Sequence, residues 1–164
     1  MVDFSSNGLT EQAKSLIAPA KWNLSGVSEE AESIPVFYSL ERATSITWTG
    51  EIGLMYPSDY GYATTGGNST DRAGCLNLSF EDWRGLNDCY SNTWLYYEEE
   101  YRWTIILSSE VNIDVFRISE SGHISTNFVY STAVSVLPSV YLSPDVKIVG
   151  GDGSEINPFE LSGN

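Results

Sequence analysis

Positive charge is what this chain has least of: eight Lys and Arg stand against 22 Asp and Glu, a formal net charge of -14 at pH 7. A polyanion would be repelled before it could dock, so nucleic acid and anionic membrane surfaces are poor partners. Histidine is nearly absent too. The single His123 cannot build a multi-histidine metal site, and nucleophile–base catalysis would need it beside an activated Ser or Cys. It reads as a hairpin residue after the Ser121-Gly122 turn. G-x-S-x-G, H-E-x-x-H and Walker signatures are missing, and "GGDGSE" lacks dinucleotide-fingerprint spacing. No run approaches the roughly 20 apolar residues of a spanning helix. The opening "MVDFSSNGLTEQ" has neither a basic n-region nor an apolar h-region, which leaves two readings: a cytosolic protein, or one whose export or anchor segment lies outside this sequence.

Cysteine is sparse as well, with Cys75 and Cys89 only. Two residues fall short of a four-ligand zinc site and do not form C-x-x-C. A disulfide closing the intervening loop would contribute about 3 kcal/mol. It is favoured over two free buried thiols, and it implies an oxidising, extracytoplasmic setting.

What is present describes a folded chain of strands and turns. The 164 residues carry 41% hydrophobic and 13% aromatic side chains, with five Trp and ten Tyr. That length suits a single domain, residues 1–164, able to bury about 70% of its unfolded surface. Thr10 caps a first short helix with Ala13, Leu16 and Ile17 on one stripe, interrupted by Pro19. "VSEEAESIP" reads as a solvated loop, and "GEIGLMYPSDYGYA" as a buried strand ending in a tight corner at Pro57, Ser58 and Asp59. Ser79-Phe80-Glu81-Asp82 has the form of a capping box and predicts a second helix ending near Gly85. After Trp94 the pattern becomes strands: "YRWTIIL", "NIDVFRI", "GHISTNFVY", "SVYL" and "VKIV". Helices early and strands late, without βαβ alternation, predict an α+β fold of two short helices on an antiparallel sheet.

Carboxylates are the first candidates for chemistry. A hydrolase would draw a pair from Asp59, Asp82, Glu98 to Glu100 and Asp114, at the separation glycoside hydrolysis requires. The adjacent charges of Glu98, Glu99 and Glu100 read first as a solvated loop. Asp145, Asp152, Ser154, Glu155 and Asn157 offer oxygen ligands to calcium, yet they match no EF-hand loop and read first as a hairpin turn. No cofactor or metal site is expected. The belt from Tyr90 to Arg117 is more telling, because Tyr and Arg supply large contact area while Ser and Asn adapt their hydrogen bonds. Packing of sheets and recognition of a ligand account equally well for that composition.

"KWNLSG", "SLERA", "WTGEIGLMYPSDYGYAT", the Cys75…Cys89 pair, "NTWL", "RWTI", "DVFRISESGHI" and "SVYLSPDVKIVGGDGSEINPFEL" occur here in order. In this the chain resembles a large group of uncharacterised exported, pilin-like proteins of gut Firmicutes. Its C-terminal half is also similar to the C-type-lectin-like fold of variable proteins of diversity-generating retroelements and, more distantly, of formylglycine-generating enzymes. The resemblance implies a C-type-lectin-like domain with Cys75 and Cys89 bridged. It also implies a diversified face between Tyr90 and Leu137, on a framework of Trp94, Trp103, Val115, Phe116 and Gly122. The group reads "WTLTPSS" and "VRPVLYL" where this chain has "WTIILSS" and "VLPSVYL", so Ile106, Leu107 and Leu137 are aliphatic departures. Nothing carries the formylglycine-generating activity over.

The expectation is therefore a non-enzymatic, adhesin-like recognition domain, secreted or at the cell surface and monomeric as an isolated domain, binding a protein or glycan. The candidate contacts are Tyr90, Asn92, Tyr96, Tyr97, Tyr101, Arg102, Ser108, Glu110, Asn112, Asp114 and Arg117. A carboxylate-dependent hydrolase and a structural pilin-like subunit are the alternatives.

Overall fold

A computed structural model describes residues 8–24, 26–43, 45–96, 100–154 and 156–163. The chain divides into two compact units, residues 1–21, 49–53 and 138–164 in the first and 22–48 and 54–137 in the second.

The first unit begins with α1 (Glu11–Ser15), whose N-cap Thr10 accepts the Ala13 N–H on Oγ1 at 3.1 Å. This is the expected first helix, shorter than its apolar stripe because β1 (Ile17–Ala18) pairs antiparallel with β9 (Pro138–Leu142). The strand order is β1-β9-β5, with β5 at Ile52–Leu54, and β10 (Lys147–Gly150) and β11 (Glu160–Ser162) form a separate hairpin. Leu9, Ala13, Leu16, Ile52, Val140 and Leu161 line an apolar cavity of about 430 Å³. β2 (Ala20–Asn23) and β4 (Thr47–Gly50) form a two-stranded pair.

The second unit is built on a four-stranded sheet of order β3-β6-β7-β8: Gly26–Val27, Arg102–Ser108, Asp114–Ile118 and Ile124–Phe128. All three late strands lie where alternation predicted them. β6, β7 and β8 are antiparallel neighbours, while β3 joins β6 in parallel. Thr104, Ile106, Phe116, Ile118 and Ile124 are buried on one face. An aromatic chain covers them: Phe37 meets Phe116 and Phe80 edge-on at 5.1 and 5.2 Å, and Phe80 meets Trp83 at 5.5 Å.

The fold is mixed α+β; of the two expected helices the first forms as α1 and the second does not, and other helices appear that were not expected. α2 (Ile34–Arg42) begins inside the predicted loop "VSEEAESIP", capped by Ser33 with Pro35 in its first turn. The Pro57 corner is α3 (Pro57–Tyr62), where Asp59 accepts the Tyr56 N–H at 2.9 Å. Met55, Tyr56 and Tyr60 are buried there as foreseen. α4 (Arg72–Leu76) and α5 (Asn87–Tyr90) are joined by the Cys75–Cys89 disulfide. The Ser79 helix does not form. Its capping bonds are made, with Ser79 Oγ accepting the Asp82 N–H at 3.1 Å, yet the segment remains a series of turns. Gly85 at φ +84° stops it within two turns, too short to repay helix nucleation, and Trp83 is held instead by its Nε1–H to the Cys75 carbonyl at 2.9 Å.

Candidate functional site

The predicted contacts fall into three groups. Tyr90 and Tyr96 meet edge-on at 5.9 Å beside the Gly122 turn, where Tyr96 Oη donates to the Glu120 carbonyl at 3.0 Å. Asn92 Nδ2 donates to the carbonyls of Gly66 and Asp88, which ties loops together rather than facing a ligand. On the sheet's outer face the Arg117 guanidinium stacks 4.1 Å from the Tyr101 ring and reaches Ser125 Oγ at 3.4 Å. Arg102 pairs with Glu100 at 3.6 Å. Ser108, Glu110, Asn112 and Asp114 lie at the opposite end of the sheet from the Gly122 turn. Tyr97, with Glu98 and Glu99, lies outside the described residues.

These groups do not share one platform. Ser108 is buried and donates to Glu29 Oε1 at 3.1 Å. Glu110 Oε1 accepts from Ser28 Oγ at 3.1 Å and from the Glu29 N–H at 3.3 Å. Val115, Phe116 and Gly122 are buried as framework, but Trp94 is 77% exposed. Of the hydrolase carboxylates, Asp59 caps α3, and Asp82 Oδ2 accepts the Ser79 N–H and hydroxyl. Asp152 accepts the Ser154 N–H at 2.9 Å in the 151–157 turn, and Glu155 lies outside the described residues. Among the described residues no group of three or more His, Cys, Asp or Glu is placed to hold a metal ion.

The end of the sheet that carries Glu110, Asn112 and Asp114 also exposes apolar side chains that sequence reasoning missed. Val111, Ile113 and Phe128 are exposed, Val129 is 56% exposed and Tyr130 is 68% exposed. They meet in two pairs at this end: the Val129 N–H donates to the Ile113 carbonyl at 2.9 Å, and Phe128 stacks on Tyr130 with centroids 5.2 Å apart and planes 7° apart. Asp114, the register partner of Phe128, has a buried Oδ1 with no hydrogen-bond partner. The available signal was the run "NFVY", which stops alternating where the strand should meet water.

Against the middle of the β7–β8 ladder lies a cavity of about 200 Å³. Phe37, Phe80 and Phe116 form its apolar part, Glu29, Glu81 and Arg84 its charged rim, and Ile124 and Thr126 of β8 one side. Glu29 Oε1 accepts from Thr126 Oγ1 at 3.0 Å, and Glu81 pairs with Arg84 at 3.4 Å.

Glu41 and His123 are among the ionisable groups shifted by their surroundings. Burial, partly offset by the Ser58 hydroxyl and N–H, pushes the Glu41 carboxyl up to about 7. Burial and the nearby Arg84 and Arg117 charges hold His123 below the usual histidine range, outweighing Glu81. Its Nδ1 lies 2.9 Å from Ser119 Oγ and 3.0 Å from Ser121 Oγ, a hairpin arrangement.

The chain matches no protein-family model, no curated protein and no solved structure.

Proposed function

We propose that this protein is a non-catalytic recognition domain that binds a partner protein through the open end of its four-stranded sheet. The observation that carries this reading is the group of exposed apolar side chains gathered at one end of the sheet, Val111, Ile113, Phe128, Val129 and Tyr130, flanked by Glu110, Asn112 and Asp114. Folded chains seldom leave large aliphatic and aromatic side chains side by side in water unless something covers them. A polar rim around such a centre is the arrangement of protein interfaces. An apolar centre of this kind favours a protein over a glycan. The C-type-lectin-like resemblance supports the same class, a rigid framework carrying an adaptable surface between Tyr90 and Leu137, as in variable proteins of diversity-generating retroelements. The Cys75–Cys89 disulfide fits an extracytoplasmic setting. No helix among the described residues is long and apolar enough to cross a membrane.

An array of surface proteins and glycans, probed with the wild type and with Ile113→Asp and Tyr130→Ala, tests the proposal. Protein ligands whose signal falls at least about tenfold in both variants are expected, since truncating a central interface anchor costs 2 kcal/mol or more. Ligands bound equally by all three proteins, or glycans alone, would overturn it.

A further inference from the structure

β8 is an edge strand, with β7 on one side and no strand on the other among the described residues. Its hydrogen-bonding parity follows from two contacts. The Val129 N–H donates to Ile113 and the Ser119 N–H to His123, so the odd-numbered pairs exchange the ladder bonds. Register places Asn127 opposite Val115 and Ser125 opposite Arg117 in the same series. In an antiparallel ladder the alternate pairs point their N–H and C=O groups away from the partner. Ile124, Thr126 and Phe128 therefore direct their backbone groups off the sheet.

The three positions differ in access. Ile124 is only 5% exposed and closed to a newcomer. The Phe128 carbonyl accepts from the Ser131 N–H, and its own N–H is held by Asn127 Oδ1 at 2.9 Å, a side-chain bond that an incoming carbonyl can replace. Thr126 has no such substitute. Residues directly opposite each other across a ladder point to the same face. A residue paired with Thr126 would thus aim its side chain where Thr126 aims its own, at Glu29 and the 200 Å³ cavity. That cavity is below the about 300–1,000 Å³ of small-molecule sites and suits one side chain of a larger ligand.

We infer that the Thr126–Phe128 edge accepts an extended segment of a basic partner protein as an added strand, with a lysine or arginine opposite Thr126 reaching into the cavity. This rests on the recognition reading above and names the partner's chemistry. The aliphatic stem lies against Phe80 and Phe116 while the cationic head meets Glu29, with Glu81 held by Arg84 on the same rim. Thr126 and Ser108 hydroxyls both bond Glu29 Oε1, which fixes the carboxylate and leaves Oε2 for the newcomer. The net charge of -14 favours a basic segment over a neutral one. Backbone bonds along the edge supply affinity, and the cavity supplies selectivity.

The test uses the whole chain and a fluorescein-labelled heptapeptide of alternating threonine and valine with a central lysine, read by anisotropy. The lysine peptide is expected to bind about tenfold more tightly than its central-glutamate counterpart, the scale of a charge-assisted hydrogen bond. Glu29→Gln, whose amide oxygen still accepts from Ser108 and Thr126, should shrink that preference to about twofold or less. N-methylation of the central residue should abolish binding, and N-methylation of its neighbour, whose N–H points away, should not. Equal binding of lysine and glutamate peptides, indifference to the position of the methyl group, or no binding of the lysine peptide would each overturn the inference. None of these depends on Ile113 or Tyr130, so the open-end reading would fail separately.

Discussion

At its turn the β7–β8 hairpin is clamped, and at its other end it is bare. The buried Tyr60 hydroxyl donates to the Gly122 carbonyl at 2.5 Å, and Tyr90 and Tyr96 close over the same turn. A Cβ on Gly122 would lie 2.5 Å from Tyr90 Cδ2, at a φ of +77° that disfavours other residues anyway. Some 20 Å away along a strand of this length, Phe128 and Tyr130 stack on each other, with no other ring against them among the described residues. The same residue types thus do opposite work: aromatic rings with a backbone partner hold the hairpin, and rings without one are left for something else. The contrast separates stability from recognition within one ladder, and three experiments would break or sharpen it.

The largest effect should come from the clamped side. The disulfide bounds the loop that carries Phe80 and Trp83, and replacing both cysteines by serine should cost about 3 kcal/mol in urea unfolding. A loss below about 1 kcal/mol would mean the aromatic packing holds that loop unaided. The second effect is one of pH. Glu41 accepts from the Ser58 N–H at 2.9 Å and from the Ser58 hydroxyl, and so holds the first turn of the helix that bears Tyr60. Its folded pKa of about 7 exceeds the ordinary 4.5, so the native state holds this proton more tightly than the unfolded chain. Stability should be full below pH 4.5 and fall by roughly 2 to 3 kcal/mol as the pH rises to 7. Glu41→Gln should flatten that decline, and an unchanged slope would place the titration elsewhere. The smallest effect compares two tyrosines. Tyr60→Phe strips a buried carbonyl of its donor and should cost about 1.5 kcal/mol, whereas Tyr130→Ala should stay within about 0.5 kcal/mol of wild type. Similar values for both would erase the distinction between the two ends.

Much of this was legible where one physical rule dominated. β6, β7 and β8 were legible because their short β-branched and aromatic runs are bounded by turn residues, with Thr104, Ile106, Phe116, Ile118 and Ile124 buried on one face. α2 was hidden by its own composition: Pro35 reads as a breaker, and Glu41, on the buried face with Ile34 and Phe37, interrupts the apolar stripe. The Ser79 capping box was correctly identified as a set of hydrogen bonds and wrongly extended into a helix, since capping chemistry does not guarantee enough residues to propagate one. The Tyr90–Arg117 belt mixed three environments because side-chain type says nothing about whether a ring will find a backbone partner. Glu110, Asn112 and Asp114 were picked for their polarity and mark the open end. The apolar residues between them were read only as strand framework.

Phe80, Glu81 and Arg84 all belong to the ring of residues that Cys75 and Cys89 close. One wall of the cavity is therefore an interchangeable cassette, anchored at two sulfur atoms. Its exposed letters can be rewritten without rethreading the sheet it faces, while Phe80 and Trp83 stay packed. A library confined to the exposed positions Glu81 and Arg84 would vary what that wall admits while leaving Phe80, Trp83 and the edge strand untouched.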